Sequence, residues 1–568
     1  MGQKVLITAA ASGIGLEGAS AIPTAALQRS KGRPVGVWRQ GMGKRFGKLI
    51  VSTVFGTVSM TTLFAGAQSI SLDPAKMQRI GTIDERFQSY NVEMLEVTGG
   101  KFWKPYSSLA KQATGSAASS GDTPAGMDPN MYEYRPPVDL ANARLRKLAA
   151  ALGPAYVRVS GTWANTTYFK DGPGPAPKTP PSGFGGVLTQ QQWKGVVDFS
   201  NAVNAELVTS VAISPGVRDA SGKWTPVEAA KVFAYTRSIG GKIAATEFMN
   251  EPNAASMGGA PKGYDAAEYG KDIAVFKSFL AEHFAKTILL GPGSVGEGGV
   301  LSMQGPGIIP STDLLSASSS AFDAFSFHVY PAVSNRCSKM GASMGTTSAD
   351  ALSAEWLARP QAIEAYYAGL RDKFDPKKPL WITETADTAC GGNPWASTFL
   401  DAFRYLNQLG MMAHDGVQVV MHNTLDSSDY GLLHEGDFAP RPNFWAAVLW
   451  RRLMGTAVLQ AEESPSPNLH LYAHCLRGVK GGVAILAINA DQKQAQMLAV
   501  PHSSIKYVLS AEPLQGNGIR LNGALLELGA NDALPALNGT PSPAGTITMS
   551  PATIVFIGVP DADNDACK

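Results

Sequence analysis

Two glutamates stand out by their neighbours. Glu251 lies in Phe248-Met-Asn-Glu-Pro-Asn253 and Glu384 in Trp381-Ile-Thr-Glu-Thr385, each closing an apolar run. They are 133 residues apart, or three βα units of roughly 44 residues each, which fits a barrel with long loops. Two carboxyls at one rim can cleave a glycosidic bond. One, protonated, helps the leaving oxygen depart, and the other, ionised, attacks the anomeric carbon. At a separation of about 5–5.5 Å the reaction passes through a glycosyl-enzyme intermediate and retains configuration. Mutual repulsion raises one pKa and keeps that carboxyl protonated near neutrality. Asn250, beside Glu251, suits a hydrogen bond to a sugar 2-hydroxyl. A single Glu could equally be a structural carboxylate at a barrel mouth. Two at strand ends, one inside Asn-Glu-Pro, favour catalysis.

The elements that must position them read as follows. Candidate strands cover 87–95, 155–161, 206–213, 242–250, 287–291, 322–330, 379–384 and 416–423, with amphipathic segments between them at 140–152, 225–239, 266–284, 351–374 and 395–410. Apolar strands separated by amphipathic helices indicate a parallel sheet. Eight such units indicate an α/β fold of the (β/α)8 (TIM) barrel type, whose active site lies at the C-terminal strand ends. From about residue 456 short β-type runs at 469–474, 483–489, 504–510 and 554–559 are split by Pro, Gly and Asn. They read as an all-β sandwich. The expected organisation is a catalytic barrel over 87–455 and a β-sandwich over 456–568, with 68–86 adding a strand to the sandwich. Residues 101–135, rich in Ser, Gly, Pro and Ala, read as a long excursion.

Composition excludes several classes. Of 568 residues, 44% are hydrophobic and 17% charged, enough for one large domain and a smaller one. The 60 glycines and 37 prolines show no period, so the chain is loop-rich rather than collagen-like. A net charge of +2 without a Lys/Arg block predicts no nucleic-acid partner. Residues 42–48 are basic, 49–64 apolar, and Ala65-Gly-Ala67 offers a cleavage site. We read 42–67 as a signal peptide of a secreted or periplasmic protein, with an uncleaved anchor as the alternative and no stable membrane span after cleavage. Residues 1–41 open like a short-chain dehydrogenase, but Ala9 replaces the first glycine and no Tyr is followed by Lys four residues on. That segment is expected not to form a domain. Sequons stand at Asn165 and Asn538.

Export places Cys337, Cys390, Cys475 and Cys567 in an oxidising compartment. Four cysteines allow three pairings. Cys475 with Cys567 is favoured because both fall in the sandwich, and Cys337 with Cys390 because both follow adjacent strands, with two free cysteines there as the alternative. No metal site is expected. His470 and His474 have the spacing of a helical zinc pair, but Leu471 replaces the needed Glu and the segment reads as a strand. Gly341-Ala-Ser-Met-Gly345 lacks the strand and helix of a nucleophile elbow. No cofactor is needed.

The chain resembles glycoside hydrolase family 79, the heparanase and β-glucuronidase family, over about residues 87–567. The resemblance is carried by Gly153-Pro-Ala-Tyr-Val-Arg-Val-Ser-Gly-Thr162, Met249-Asn-Glu-Pro-Asn253, Phe327-His-Val-Tyr330, Trp381-Ile-Thr-Glu-Thr385 and Asp429-Tyr-Gly-Leu432. Phe444-Trp445, Leu453-Met-Gly-Thr456, Leu471-Tyr-Ala-His-Cys475 and Leu521-Asn-Gly523 extend it. It implies Glu251 as acid/base and Glu384 as nucleophile of a retaining enzyme acting on β-linked glucuronic acid. It also implies that His328 and Tyr330 line the cleft, the Tyr beside the nucleophile. Tyr430 and the backbone amides of Gly391 and Gly392 would hold the glucuronate carboxylate, and Thr162 would touch the sugar. Glu93 stands where animal heparanases have Asp, with a different reach. Asp387 suits a turn at least as well as a substrate contact. Animal heparanases carry basic clusters beside the cleft. Here 291–300 has no Lys or Arg and 173–187 only Lys178, so attraction to a sulfated chain should be weak. The expected partner is a glucuronic-acid-containing glycan or glycoside. The rivals are an exo-acting glucuronidase on small or terminal glucuronides and, from another class, a carbohydrate-binding protein without turnover.

Overall fold

A strand covered on both faces has no solvent side, so its sequence is continuously apolar rather than alternating. The eight apolar runs take that form. The computed structural model describes residues 69–109, 127–319 and 321–568. Within it β1 (Gln88–Glu93), β2 (Ala155–Ser160), β3 (Ala205–Thr209), β4 (Ile243–Glu247), β5 (Ile288–Ser294), β6 (Ala324–Val329), β7 (Leu380–Thr385) and β8 (Val419–His422) close into a parallel barrel in chain order. Val420 of β8 pairs with Gln88 of β1 to complete the ring. The intervening helices are α1 (Ala143–Ala151), α2 (Gln190–Ala202), α3 (Val227–Ser238), α4 (Ala266–His283), α5 (Ser311–Ser318), α6 (Ala354–Phe374), α7 (Phe399–His414) and α8 (Pro442–Leu453). The expected (β/α)8 barrel is therefore the observed one. Helices α2, α5 and α8 complete the set beyond the five amphipathic segments picked out above.

The barrel interior is layered. Tyr156, Ala245, Leu290, Ala324, Trp381 and Val419 form an apolar plug, with the rings of Tyr156 and Trp381 4.9 Å apart. Two residues further along their strands come Arg158, Glu247, Ser326 and Thr383, all fully buried and polar. Side chains at i and i+2 share a strand face, so the plug and this polar layer are successive floors of one interior. Register shifts fall between Phe327 and His328 and between Ile382 and Thr385. Such irregularities re-aim side chains. The second allows Glu384 to reach the cleft although its neighbour Thr383 also points inward.

After α8 the chain forms two further sheets. The larger contains Met454–Leu459, Leu469–Leu476, Val483–Asn489, Thr553–Val559 and Ser504–Ser510, with Arg79–Thr82 paired to its first strand. The smaller joins Ile70–Ser71, Gln496–Val500 and Gly545–Met549. Val483, Ile485, Val555 and Ile557 pack between the sheets against Leu498, Ile547 and Met549. The opposite face of the larger sheet, with Leu486, Ile488 and Phe556, shares the barrel's core. The segment before β1 thus supplies a strand to each sheet. Disulfides join Cys337 to Cys390 and Cys475 to Cys567.

Of residues 101–135, the expected excursion, 101–109 and 127–135 are among the described residues and 110–126 lie outside them. Gly100–Trp103 and Tyr132–Arg135 form an antiparallel pair, with Phe102 fully buried and the rings of Trp103 and Tyr132 stacked 4.5 Å apart. Aromatics hold these two described ends together, which average composition does not reveal. Residues 1–41 and the signal peptide expected over 42–67 lie outside the described residues. Among the described residues no helix is long and apolar enough to cross a membrane.

Candidate active site

Arg158 is the one charged residue in the apolar strand β2, and it is fully buried. A buried guanidinium must be paired. Its Nε and Nη2 donate to Glu247 Oε2 at 3.0 and 2.8 Å, and Nη2 also donates to Asn250 Oδ1 at 2.8 Å. Its Nη1 donates to Glu384 Oε2 at 3.0 Å. Burial alone would raise the Glu247 carboxyl, but Arg158 and His328, with hydrogen bonds from Thr383 and Arg158, hold it below the usual carboxylate range. Burial would likewise lower Arg158, and the carboxylates of Glu247, Glu384 and Glu93 reverse this and keep it charged.

Glu384 is gripped from the other side as well. Tyr330 Oη donates to Glu384 Oε1 at 2.5 Å, and Asn423 Nδ2 approaches the same oxygen at 3.4 Å. Asn423 also reaches the hydroxyls of Tyr330 and Tyr430 and Glu93 Oε1, each at 3.2 Å. Burial, then the Glu384 charge, pushes the Tyr330 hydroxyl well up, so it stays a donor. Donors fixed on both oxygens orient the carboxylate and offset its charge without using the lone pair that faces the cleft.

Glu251 follows β4 in a left-handed conformation, φ 50° and ψ 63°, just before the 3₁₀ turn Pro252–Ala254. A non-glycine residue there carries backbone strain of about 1–3 kcal/mol, held by its surroundings. Two asparagines supply the restraint. Asn165 bonds both backbone groups of Asn250, accepting from its N–H at 2.9 Å and donating to its carbonyl at 3.0 Å. Asn253 does the same for Val295, at 3.1 and 2.6 Å. Asn165 is fully buried and both ends of its amide are used, so its sequon cannot be glycosylated in the folded protein. His328 Nδ1 lies 3.0 Å from Glu251 Oε1, and His328 Nε2 lies 3.4 Å from Arg158 Nη2. Burial would lower the His328 ring, but the Glu384 charge and the hydrogen bond to Glu251 outweigh it, and the net shift is upward. Burial raises the Glu251 carboxyl and the nearby Glu384 charge adds to the rise, while the His328 hydrogen bond opposes it; the net shift is upward.

A carboxylate oxygen of Glu251, one of Glu384 and a ring nitrogen of His328 lie within 4.8 Å of one another. Three such ligands could in principle hold a cation. The Arg158 guanidinium, 3.0 Å from Glu384, puts a fixed positive charge beside that spot, and Tyr330 and His328 already occupy the carboxylates.

Other expected residues fall around this pair. Glu93, Thr162, Asn250, Tyr330 and Tyr430 line the cleft with Glu251 and Glu384. Glu93 Oε1 accepts from Asn423, while burial and then the Glu384 charge lift its carboxyl well above the usual range. A Cβ at Gly161 would sit 1.6 Å from Glu93 Oε2, so only glycine fits opposite that side chain. Gly391 and Gly392 follow Cys390, which lines the cleft. Their carbonyls accept from Ser428 Oγ and Ser334 Oγ, which fixes the turn. Tyr430 is carried by the adjacent turn, where Arg336 pairs with Asp429 and the carbonyl of Tyr430 accepts from Ser397 and His422. His328 departs from expectation. It does not line the cleft but lies fully buried beneath it, because its strand register places it one layer below Tyr330. Asp387 is also fully buried, accepting from the Asn393 amide at 3.0 Å and from Thr388, a loop-holding role. His474 bonds the Gly455 carbonyl and packs on Trp450, away from the cleft. Arg158, Glu247, Asn423, Asn165 and Asn253 were not singled out from sequence. A lone Arg in a buried apolar strand is the one signal that could have been used.

The 137–410 segment matches the family model "Glycosyl hydrolase family 79, N-terminal domain". The chain is similar to heparanase-like protein 1 of Arabidopsis thaliana, 30% identical over 396 residues, covering 66% of this chain and 69% of the relative. It is 28% identical over 475 residues to the hyaluronoglucuronidase of Hirudo nipponia, covering 76% and 92%. A 4-O-α-L-rhamnosyl-β-D-glucuronidase from Fusarium oxysporum shares the fold, with a TM-score of 0.56 at 12% identity over 86% of this chain and 99% of that one. With the barrel, the paired carboxylates and these matches in place, the chain belongs to glycoside hydrolase family 79 and is a glycoside hydrolase.

Proposed function

We propose that this chain is a retaining β-glucuronidase with Glu384 as nucleophile and Glu251 as acid/base. The observation that carries this is the approach of the two carboxylates, with oxygens within 4.8 Å. That matches the about 5–5.5 Å spacing of retaining enzymes rather than the about 6.5–9.5 Å at which an inverting enzyme seats both the sugar and a water between its carboxyls. Glu384 attacks C1 while Glu251 protonates the departing oxygen. Glu251 then takes a proton from water as the glycosyl–Glu384 bond breaks. Arg158 and Tyr330 hold the nucleophile in line, and Asn250 is placed for the 2-hydroxyl.

Glucuronic acid in the reacting subsite is supported by the Tyr430 hydroxyl, which lines the cleft and can donate to a carboxylate. The name of the leech relative points the same way. No Lys or Arg is among the described residues lining the cleft, which argues against a sulfated polyanion as the main substrate. Two disulfides suit an exported protein.

Proton NMR of early hydrolysis of an aryl β-glucuronide tests the reading. β-Glucuronic acid should be the first anomer, and its loss in Glu384→Gln should accompany an intact fold. The α anomer first, or near wild-type turnover in Glu384→Gln, refutes it. Sizing the products from an oligosaccharide with terminal and internal glucuronic acid separates exo from endo cutting.

A further inference from the structure

The acid/base lies on the side of the cleft where the leaving group must sit, because its proton goes to the departing oxygen. The wall beyond Glu251 is made by two loops. The turn after β4 contributes Ala254, Met257 and Gly258, and the loop after β5 contributes Val295, Leu301 and Met303. This wall is fixed in place. The Met257 amide donates to the Ala254 carbonyl at 2.9 Å, Asn253 bonds both backbone groups of Val295, and the Met303 amide donates to Gly296 at 2.8 Å. Gly296 is left-handed, φ 68°, and a Cβ there would meet Met303 Cγ at 2.6 Å, so the methionine lies against bare backbone.

None of the five side chains here can donate or accept a conventional hydrogen bond, and Gly258 has none. A sugar in this position would leave its hydroxyls unpaired on that wall, and a sulfate would face the Glu251 carboxyl without a cation. An apolar ring suits it. Thioether sulfurs make favourable contacts with aromatic faces, and Trp163 also lines the cleft.

We propose that this wall is a leaving-group subsite for an apolar aromatic aglycone, so that the preferred substrates are β-glucuronides of phenolic compounds rather than internal links of a glycan. This rests on the glucuronidase reading above and on the assignment of Glu251 as the acid.

The test compares pairs of substituted phenyl β-glucuronides whose phenols have the same pKa but different apolar area, so that leaving-group ability is constant. Each added buried methylene should raise kcat/KM by up to roughly fourfold. The gain should shrink several-fold in Met257→Gln/Met303→Gln. A flat response, or a gain untouched by the double substitution, overturns the proposal. The same phenols are also run as β-glucosides. Cleavage of glucosides but not glucuronides would reject the sugar assignment, while their apolar series would still test the wall. Calorimetric titration with S-linked versions of both pairs needs no turnover. Tighter binding of the larger aglycone supports the subsite, and equal binding within each pair rejects it.

Discussion

Arg158 Nη1 lies 3.0 Å from Glu384 Oε2 across 226 residues of sequence, while the same guanidinium grips Glu247. One side chain therefore ties Glu384, the proposed nucleophile, to the barrel interior. Arg158→Met would leave the buried carboxylates of Glu247 and Glu384 unpaired, a change expected to cost about 3–5 kcal/mol of stability. Urea denaturation of the two proteins measures it. A second substitution, Glu247→Gln, should restore part of the loss because it removes the orphaned charge. An unchanged midpoint in Arg158→Met would show that the ion pair is not formed.

Tyr330 donates to Glu384 Oε1 at 2.5 Å. A hydrogen bond to a charged group contributes about 1.5–3 kcal/mol. If that bond orients the attacking oxygen, Tyr330→Phe should lower kcat by roughly 10–100-fold. Steady-state kinetics on an aryl glucuronide, with circular dichroism to confirm the fold, decides the matter. A kcat within twofold of wild type would remove Tyr330 from the machinery.

The acid must be protonated, so activity is lost on the alkaline side as pH rises through the Glu251 pKa. Burial sets that value above the usual range, and the His328 hydrogen bond pulls it down. Replacing His328 with Phe should therefore move the alkaline limb of kcat/KM to higher pH, besides lowering the maximum. A limb that moves to lower pH would contradict the arrangement.

Asp387 is fully buried, and burial with the nearby Asp401 charge raises its carboxyl to about 7 from 3.8. Between those values the folded protein keeps a proton that the unfolded chain has released, so this group's contribution to stability falls as pH rises across that window. Asp401, lowered by the charge and hydrogen bonds of Arg404 against the effect of burial, acts in the opposite sense below pH 3.8. Asp387→Asn retains an acceptor for the Asn393 amide and should flatten the decline in Tm between pH 5 and about 8. Thermal melts at both ends check this. An equal decline in both proteins would mean that Asp387 titrates elsewhere.

The fold was legible because its signals are local. Eight apolar runs with helical segments between them overlap the eight barrel strands, and Asn-Glu-Pro and the Glu384 run place each carboxyl at a strand end. The spacing of His328 and Tyr330 showed that both belong to one strand face, but not their depth, which depends on the register between β6 and β7. Gly161 shows why such limits arise. Its backbone takes φ 92° and ψ 175°, a conformation that favours glycine, and a Cβ there would also meet the Glu93 carboxyl brought in from β1.

The chain by itself determined the kinds of element, their order and the residues able to do the chemistry, since burial periodicity and strand ends are written in neighbouring residues. Only the tertiary structure decided how that chemistry is held. Arg158 finds Glu247 and Glu384, Asn165 clamps Asn250, and Asn253 clamps Val295 once the barrel closes and its irregular registers aim the side chains. Those partners come from different strands and loops, and the pairing of distant polar groups follows from where the packed backbone leaves them.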